Sequence, residues 1–245
     1  RGQVIGFGAR ALGEVKPKYL NSPESPSFVK KSVLYGWSRA RKAARRGLPV
    51  IVVEGYMDVI AVSSSGVAAA VAPLGTALGE DQFRLLWKLS NDPVLCFDGD
   101  KAGQIAAQRA IERVLPLLEP GRSVRLAVLP EGQDPDDILR QKGPDGLRRI
   151  LSAATGLLDS LWASKAADYH LDNPRTQAGA KAAFWQDMRG LVRSITHHQT
   201  RSAWADDLER LITAMRGVTR AGGSNRPDQM TAVPLMLRPK TGRHV

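Results

Sequence analysis

The stretch VIVVEGYMD, residues 50–58, decides the fold. Its first four residues are all β-branched, which is typical of a strand covered on both faces of a parallel sheet. Glu54 ends this strand, and Gly55 frees the turn into a helix. Further apolar runs stand at 67–71, 94–97 and 124–128, and amphipathic stretches stand between them at 58–65, 80–89 and 102–118. This alternation predicts an α/β domain built on a parallel sheet.

A second acid-bearing turn follows the predicted strand at 94–97. In its sequence, DGDKAG, Asp98 and Asp100 stand on either side of a glycine, so both carboxylates can turn toward one point. Because parallel strands place their chemistry just past their carboxyl ends, we expect these two acids to lie near Glu54. Three such carboxylates would repel one another unless a cation joined them, and hard oxygen ligands suit Mg²⁺ or Mn²⁺. The sequence therefore predicts a divalent-metal site.

Three further acids leave two interpretations open. Asp134 and Asp136 follow the fourth predicted strand, and Asp58 lies at the start of a predicted helix. All three could add ligands to the metal site. They could also serve the N-termini of their helices, where acidic side chains cap backbone N–H groups and complement the helix dipole.

Composition restricts the class of protein. The 245 residues suffice for one large α/β domain or a medium domain with a smaller appendage. There is no apolar run of about 18 residues, so we expect no membrane span. The single cysteine, Cys96, excludes a disulfide framework, and with only four histidines we expect no zinc site in this chain. These features favour the reducing cytoplasm. The chain starts without an initiator methionine or a signal peptide, so we expect it to be part of a longer protein.

The charge distribution favours a nucleic-acid partner. The net charge is +11, which favours polyanions, with nucleic acid preferred over a membrane surface. Residues 1–50 hold 11 basic and 2 acidic side chains, whereas residues 51–100 hold 2 basic and 7 acidic ones. A basic flank beside an acidic centre suits an enzyme that places metal-bound carboxylates next to a phosphate backbone. Solvated charged faces are the alternative.

The flanking segments have weaker patterns. Residues 3–12 indicate a glycine-interrupted strand, 17–28 an ordered loop and 36–46 a basic helix. Residues 155–216 indicate two or three helices that form a small bundle. From Gly217 onward, glycines, prolines and scattered arginines favour a flexible linker or tail.

The acid-bearing turns carry a resemblance to a known family. The EGYMD and DGDKAG motifs, some forty residues apart, resemble the TOPRIM domain of primases, topoisomerases and certain nucleases. Seven motifs together resemble the RNA polymerase core of bacterial replicative DNA primases of the DnaG type: GFGAR (6–10), PKYLNSPES (17–25), LYGW (34–37), VVEGYMDV (52–59), APLGTAL (72–78), FDGDKAG (97–103) and PEGQDPDD (130–137). The resemblance is continuous to about residue 155, weaker to about 216 and absent beyond. It implies a TOPRIM parallel-sheet core at 49–153, a partial basic α+β N-terminal subdomain at 1–48, a helical bundle at 154–216 and a flexible tail at 217–245.

The same resemblance implies an activity and its residues. The family makes short RNA primers on single-stranded DNA by nucleotidyl transfer that depends on two or more Mg²⁺ or Mn²⁺ ions. Three residues match its principal metal-binding and catalytic acids: Glu54, Asp98 and Asp100. Three others match accessory acids at that site: Asp58, Asp134 and Asp136. Five match or extend a groove that holds template or nucleotide phosphates: Arg10, Lys18, Asn21, Lys30 and Lys31. Tyr19 is open to two roles, stacking a base or packing within the loop.

The resemblance also implies partners and alternatives. Single-stranded DNA and ribonucleoside triphosphates are the expected ligands, and a replicative helicase is expected to bind through a C-terminal domain that this segment lacks. The parent chain is expected to carry a zinc-binding module before residue 1. Another TOPRIM activity, such as DNA cleavage, is the first alternative, although none of the four tyrosines stands in a recognisable cleavage motif. A non-catalytic single-strand-binding module is the second.

Overall fold

The computed structural model describes residues 3–11, 19–75, 77–171, 173 and 176–221, with side chains described as far as residue 215. The chain forms two compact units. The first comprises the residues up to Val114 together with Gly121–Ala154. The second comprises Leu115–Pro120 and the residues from Thr155 onward.

The first unit begins with a short antiparallel hairpin and a helix. Strand β1 (Gly8–Arg10) pairs with β2 (Tyr19–Asn21). The sequence predicted a longer strand at 3–12 and only a loop at 17–28, so the interpretation of 17–28 was wrong for β2. A strand needs a partner for its backbone N–H and C=O groups, and β2 supplies that partner from between turn-forming residues. The predicted basic helix is present as α1 (Trp37–Ala44).

Four parallel strands form the sheet of the first unit: β3 (Val50–Val52), β4 (Ala69–Val71), β5 (Val94–Phe97) and β6 (Arg125–Val128). Their order in this unit is β4-β3-β5-β6, and each neighbouring pair is parallel. Every residue of β3, β4 and β5 is buried, as the unbroken apolar runs predicted. The α/β class expected from the sequence is therefore confirmed.

Four helices accompany this sheet: α2 (Tyr56–Ser65), α3 (Glu80–Leu86), α4 (Lys101–Val114) and α5 (Pro135–Ser152). A helix was predicted as far as residue 118, but the α-helix ends at Val114 and Leu115–Leu117 form a 3₁₀ turn. Pro116 explains the difference, because proline disfavours α-helical geometry at the preceding residue and lacks an N–H. Helix α5 is interrupted at Gly143, where φ is +65°.

The described part of the second unit contains a two-residue strand and three helices: β7 (Thr155–Gly156), α6 (Leu157–Asp168), α7 (Ala178–Arg193) and α8 (His198–Ala221). Aromatic rings of α6 and α7 pack together, with Trp162 and Phe184 centroids 5.1 Å apart. The flexible tail was predicted from residue 217, but α8 continues to Ala221. The rest of that segment, 222–245, lies outside the described residues. None of the helices described here has the length and apolar composition that crossing a bilayer demands.

Candidate metal and nucleotide site

Loops that follow three of the parallel strands meet at one edge of the sheet. The backbone N–H of Asp98, after β5, donates to Glu54 Oε1, after β3, at 3.0 Å. The N–H of Gly99 donates to the Gln133 carbonyl oxygen, after β6, at 3.0 Å. The N–H of Gly132 returns a bond of 3.3 Å to the Gly99 carbonyl oxygen. These three hydrogen bonds hold the acid-bearing turns in a fixed arrangement.

Two glycines of DGDKAG permit this close packing. A Cβ atom at Gly99 would overlap the carbonyl oxygen of Pro130, and one at Gly103 would overlap the carbonyl oxygen of Asp98. The N–H of Gly103 also donates to Asp100 Oδ1 at 2.8 Å, so that carboxylate lies against the first turn of α4. Both motif glycines are therefore required by contact with neighbouring backbone.

The carboxylates at this edge are close enough to perturb one another. Burial raises the pKa of Asp98 to about 7, with repulsion from Glu54, Asp58, Asp134 and Asp100 adding to the effect. Burial, together with repulsion from Asp134, raises the pKa of Asp58 to about 6. The pKa of Glu54 is also raised by burial, partly offset by the Asp98 N–H and further increased by Asp100. The site thus concentrates acidic side chains in a partly buried environment.

Two carboxylate oxygens in this cluster have no hydrogen-bond donor. Asp58 Oδ1 and Asp98 Oδ1 are both buried and unpaired. An unsatisfied buried acceptor is costly, and carboxylate oxygens are the hard ligands that Mg²⁺ and Mn²⁺ prefer. Among the described residues, no group of three or more acidic, histidine or cysteine side chains is arranged so that it could hold a metal ion. The donor atoms are of the type that suits a divalent cation, but in the described residues they do not form a complete ligand set.

The accessory acids after β6 have helix-terminal partners. Asp134 is the N-cap of α5, where its Oδ1 accepts from the Asp137 N–H at 2.7 Å. Asp136 pairs with Arg140 at 3.4 Å. A backbone N–H of Asp136 also offsets part of the rise in the pKa of Asp58. The capping interpretation is therefore confirmed for Asp134, and both acids remain adjacent to the cluster.

The N-terminal hairpin is fastened beside the helix that follows Glu54. The hydroxyl of Tyr56 donates to Asn21 Oδ1, and Asn21 Nδ2 donates to the Leu74 carbonyl oxygen at 3.3 Å. The ring of Tyr19 packs edge-on against that of Tyr56, with centroids 5.7 Å apart. The guanidinium carbon of Arg10 lies 6.0 Å from the centroid of the Tyr19 ring. Two predicted groove residues, Arg10 and Asn21, are thereby brought next to the start of α2.

The other predicted groove residues are placed differently. Lys30 and Lys31 lie in a one-turn 3₁₀ helix packed against α3. Gln82 of α3 is fully buried, and its Nε2 donates to the carbonyl oxygens of Lys30 at 3.1 Å and Val33 at 2.9 Å. The position of these lysines is thus set by α3 and not by the acid-bearing loops. Lys18 lies outside the described residues.

Sequence reasoning assigned no role to two positioning residues, Tyr56 and Gln82. Tyr56 stands inside the EGYMD motif, but its partner Asn21 is 35 residues earlier and only the fold brings them together. Gln82 is polar in an amphipathic helix, which favours a surface position, yet it is fully buried and hydrogen-bonded. No signal in the sequence distinguishes it from an exposed glutamine.

Comparison with known families agrees with this geometry. Residues 49–127 match the family model of the Toprim domain, and residues 1–41 match that of the DNA primase catalytic core, N-terminal domain. The DNA primase of Pseudomonas aeruginosa is 51% identical over 160 residues, 65% of this chain and 24% of that protein. The DNA primase of Escherichia coli K12 is 42% identical over 178 residues, 73% of this chain and 31% of that protein. The chain therefore spans a quarter to a third of these relatives.

Solved structures give the same assignment. A DNA primase domain from Pseudomonas aeruginosa superposes with a TM-score of 0.77 at 40% identity, covering 84% of this chain and 64% of that one. The Escherichia coli primase catalytic core gives 0.74 at 37% identity, covering 85% and 66%. A DnaG primase catalytic domain bound to single-stranded DNA gives 0.72 at 36% identity, covering 85% and 66%. With its acid-bearing strand ends and both family matches, the chain belongs to the DnaG-type DNA primases and carries their Toprim domain.

Proposed function

We propose that this chain supplies the nucleotidyl-transfer centre of a DNA primase, which makes short RNA primers on single-stranded DNA during replication. The observation that carries the proposal is the carboxylate cluster at the carboxyl ends of β3 and β5. Two of its buried oxygens, on Asp58 and Asp98, have no hydrogen-bond donor. The DNA primases that the chain resembles support the same assignment.

The chain's own residues would hold divalent cations, Mg²⁺ or Mn²⁺, in this cluster. The principal ligands are Glu54, Asp98 and Asp100, and the accessory acids are Asp58, Asp134 and Asp136. When bound, such ions lower the pKa of an attacking 3′-hydroxyl and neutralise charge on the leaving pyrophosphate. The Asp98 N–H fixes Glu54, and the Gly103 N–H orients Asp100, so both carboxylates are positioned before any ligand arrives. The protein's contribution is positioning and electrostatics.

Cationic and polar side chains near this cluster would bind the phosphates. Arg10 presents its guanidinium over the exposed ring of Tyr19, and Asn21 is held by Tyr56 beside the start of α2. Lys18, Lys30 and Lys31 would extend this track. The ligands would be single-stranded template DNA and ribonucleoside triphosphates, because both carry phosphates that cations and amides recognise. A relative's catalytic domain bound to single-stranded DNA supports the first of these.

The setting of the complete protein follows from the same proposal. It would act in the cytoplasm within the bacterial replication machinery. A replicative helicase would bind a further C-terminal domain, and a zinc-binding module would precede this segment. Primase activity is favoured over DNA cleavage and over a non-catalytic binding module, because the chain matches the family model of the DNA primase catalytic core at 1–41 as well as that of the Toprim domain at 49–127.

The test is incorporation of labelled ribonucleotides on a single-stranded DNA template with Mn²⁺, using the full-length parent chain. We expect template-dependent product from the parent and none when Asp98→Asn and Asp100→Asn are introduced together. A double variant of exposed acids elsewhere, Asp145→Asn with Asp206→Asn, removes the same charge and should retain synthesis. Product from the Asp98/Asp100 variant would refute the role of these acids. No product from a folded parent with any divalent metal would refute primase activity.

A further inference from the structure

A groove that the carboxylate site does not use lies between α1 and the turn that follows α3. Its wall is formed by six residues: Trp37, Arg41, Ala44, Arg45, Lys88 and Leu89. Four of them recur at positions i, i+4, i+7 and i+8 of α1 and its C-terminal cap, so they share one helix face. The volume of this α1 groove is about 410 Å³. It belongs entirely to the first unit.

The α1 groove is cationic. Arg41, Arg45 and Lys88 are exposed, and no carboxylate from the described part of the chain lines the groove. The ion pairs formed among the described residues involve other cations: Arg84, Arg125, Arg140, Arg148, Lys165, Arg189 and Arg210. Helix α1 itself contains no acidic residue. Three uncompensated cations around one groove favour a ligand with several negative charges.

An aromatic ring gives the α1 groove a second recognition element. Trp37 is half-buried in its wall, one helical turn before Arg41. A tryptophan face stacks on any nucleobase, while arginines and lysines beside it contact phosphates. Arg41 lies one helical turn after Trp37 and Arg45 one turn after Arg41, so the two cations follow the aromatic ring along one helix face. This pairing of one flat apolar surface with several cations is the pattern of single-strand binding sites, and it favours nucleic acid over an acidic peptide.

We infer that the α1 groove binds a single strand of nucleic acid, with its phosphates against Arg41, Arg45 and Lys88 and one base against Trp37. The identity of that strand as template DNA or RNA product rests on the proposed function. The contact is additional to the carboxylate site and to the groove residues of the N-terminal hairpin. It lengthens the stretch of nucleic acid that the chain holds.

The first test measures binding of the 245-residue chain to fluorescein-labelled dT₂₀ and rU₂₀ by fluorescence polarisation, without nucleotides or divalent metal. Each phosphate contact with a single strand contributes about 0.7 to the slope of log K against log salt. For Arg41→Gln with Arg45→Gln we expect the slope to fall by about 1.4 and the affinity at 0.1 M salt to fall about 25-fold. The matched control, Arg39→Gln with Lys42→Gln, removes two charges from the other face of the same helix and should stay within about threefold of the parent chain.

The second test addresses the aromatic ring. Trp37→Leu should weaken binding about tenfold, whereas Trp37→Phe keeps a stacking surface and should recover most of that loss. Circular dichroism and thermal melting confirm that both variants are folded. If the groove substitutions weaken binding of dT₂₀ and not of rU₂₀, the groove binds the template. If they weaken binding of rU₂₀ and not of dT₂₀, it binds the RNA product.

Three results would overturn the inference. They are equal losses in the groove pair and its control, unchanged affinity in Trp37→Leu, and competition by polyglutamate as strong as that by an oligonucleotide of equal charge. The proposed function is tested separately. Primer synthesis is measured with the full-length parent and Mn²⁺, whereas strand binding is measured with the 245-residue chain and no divalent metal. Absence of synthesis in the parent with intact groove binding would refute only the proposed function.

Discussion

Replacing Gly99 by alanine should separate the turns that carry the acids. An added Cβ would overlap the Pro130 carbonyl oxygen and lie 2.7 Å from its carbon and 3.0 Å from the Leu129 oxygen. Ordinary carbon contacts need about 3.5 Å, so the loops after β5 and β6 must move apart by about 1 Å or more. That movement stretches the hydrogen bonds that Gly99 exchanges with Gln133 and Gly132, at 3.0 Å and 3.3 Å.

The expected cost follows from these contacts. Two weakened hydrogen bonds contribute about 1 kcal/mol each, and overpacking adds about 1–3 kcal/mol. The reduced freedom of the unfolded chain offsets about 0.5 kcal/mol, which leaves about 3 kcal/mol of destabilisation. At about 2–4 °C per kcal/mol, the melting temperature of Gly99→Ala should fall by about 6–12 °C. Its affinity for Mn²⁺ should fall as well, because Asp98 and Asp100 flank the substituted residue.

Thermal melting by circular dichroism, with and without Mn²⁺, measures both effects. The control is Gly190→Ala, at a helix position of α7 where a Cβ would meet no atom within 4 Å. That variant should be unchanged or slightly more stable, because alanine favours helix over glycine by about 1 kcal/mol. A Gly99→Ala protein that melts like the parent chain and binds Mn²⁺ equally well would refute the packing argument.

Three further predictions concern individual side chains. In the metal-free protein the folded-state pKa of Asp98 is raised to about 7. Ionisation of this carboxyl therefore opposes folding, so the free energy of unfolding should rise as the pH falls from 7 toward 4. At pH 8 the Asp98→Asn variant should be more stable than the parent chain. Equal stability of the two at pH 8 would contradict the burial of this carboxyl. Gln82→Leu removes three buried hydrogen bonds and should lower the free energy of unfolding in denaturant by about 3 kcal/mol. A decrease below about 1 kcal/mol would contradict the observed network. Tyr56→Phe removes one of the two hydrogen bonds that hold Asn21 and should weaken oligonucleotide binding several-fold, while Tyr169→Phe in the second unit should not. Equal losses in the two variants would show a non-specific effect.

The central sheet was predictable because its local signals agree. Val50 to Val52 and Val94 to Phe97 are unbroken apolar runs that only a covered strand accommodates, and both were found as buried parallel strands. An acid directly after each run must then lie at the same sheet edge, which is why Glu54 and Asp98 were expected to be neighbours and are hydrogen-bonded neighbours in the structure. Strong local patterning was sufficient here.

Long-range contacts were not predictable in the same way. Strand β2 is three residues long and stands among turn-forming residues, so only its pairing with β1 identifies it. The burial of Gln82 depends on carbonyl oxygens of a segment about fifty residues earlier. The two roles of Asp134 stayed open because helix capping and metal ligation use the same residue type, and the structure supplies the cap without removing Asp134 from the cluster.

The central claim is that the acids at the ends of β3 and β5 hold a divalent cation. It is tested most directly by titrating Mn²⁺ into the 245-residue chain and following the electron paramagnetic resonance signal of the free ion. We expect the parent chain and the Asp145→Asn, Asp206→Asn control to bind Mn²⁺ and lower the free-ion signal equally, and the Asp98→Asn, Asp100→Asn variant to leave that signal unchanged. Equal Mn²⁺ binding by a folded Asp98/Asp100 variant would contradict it.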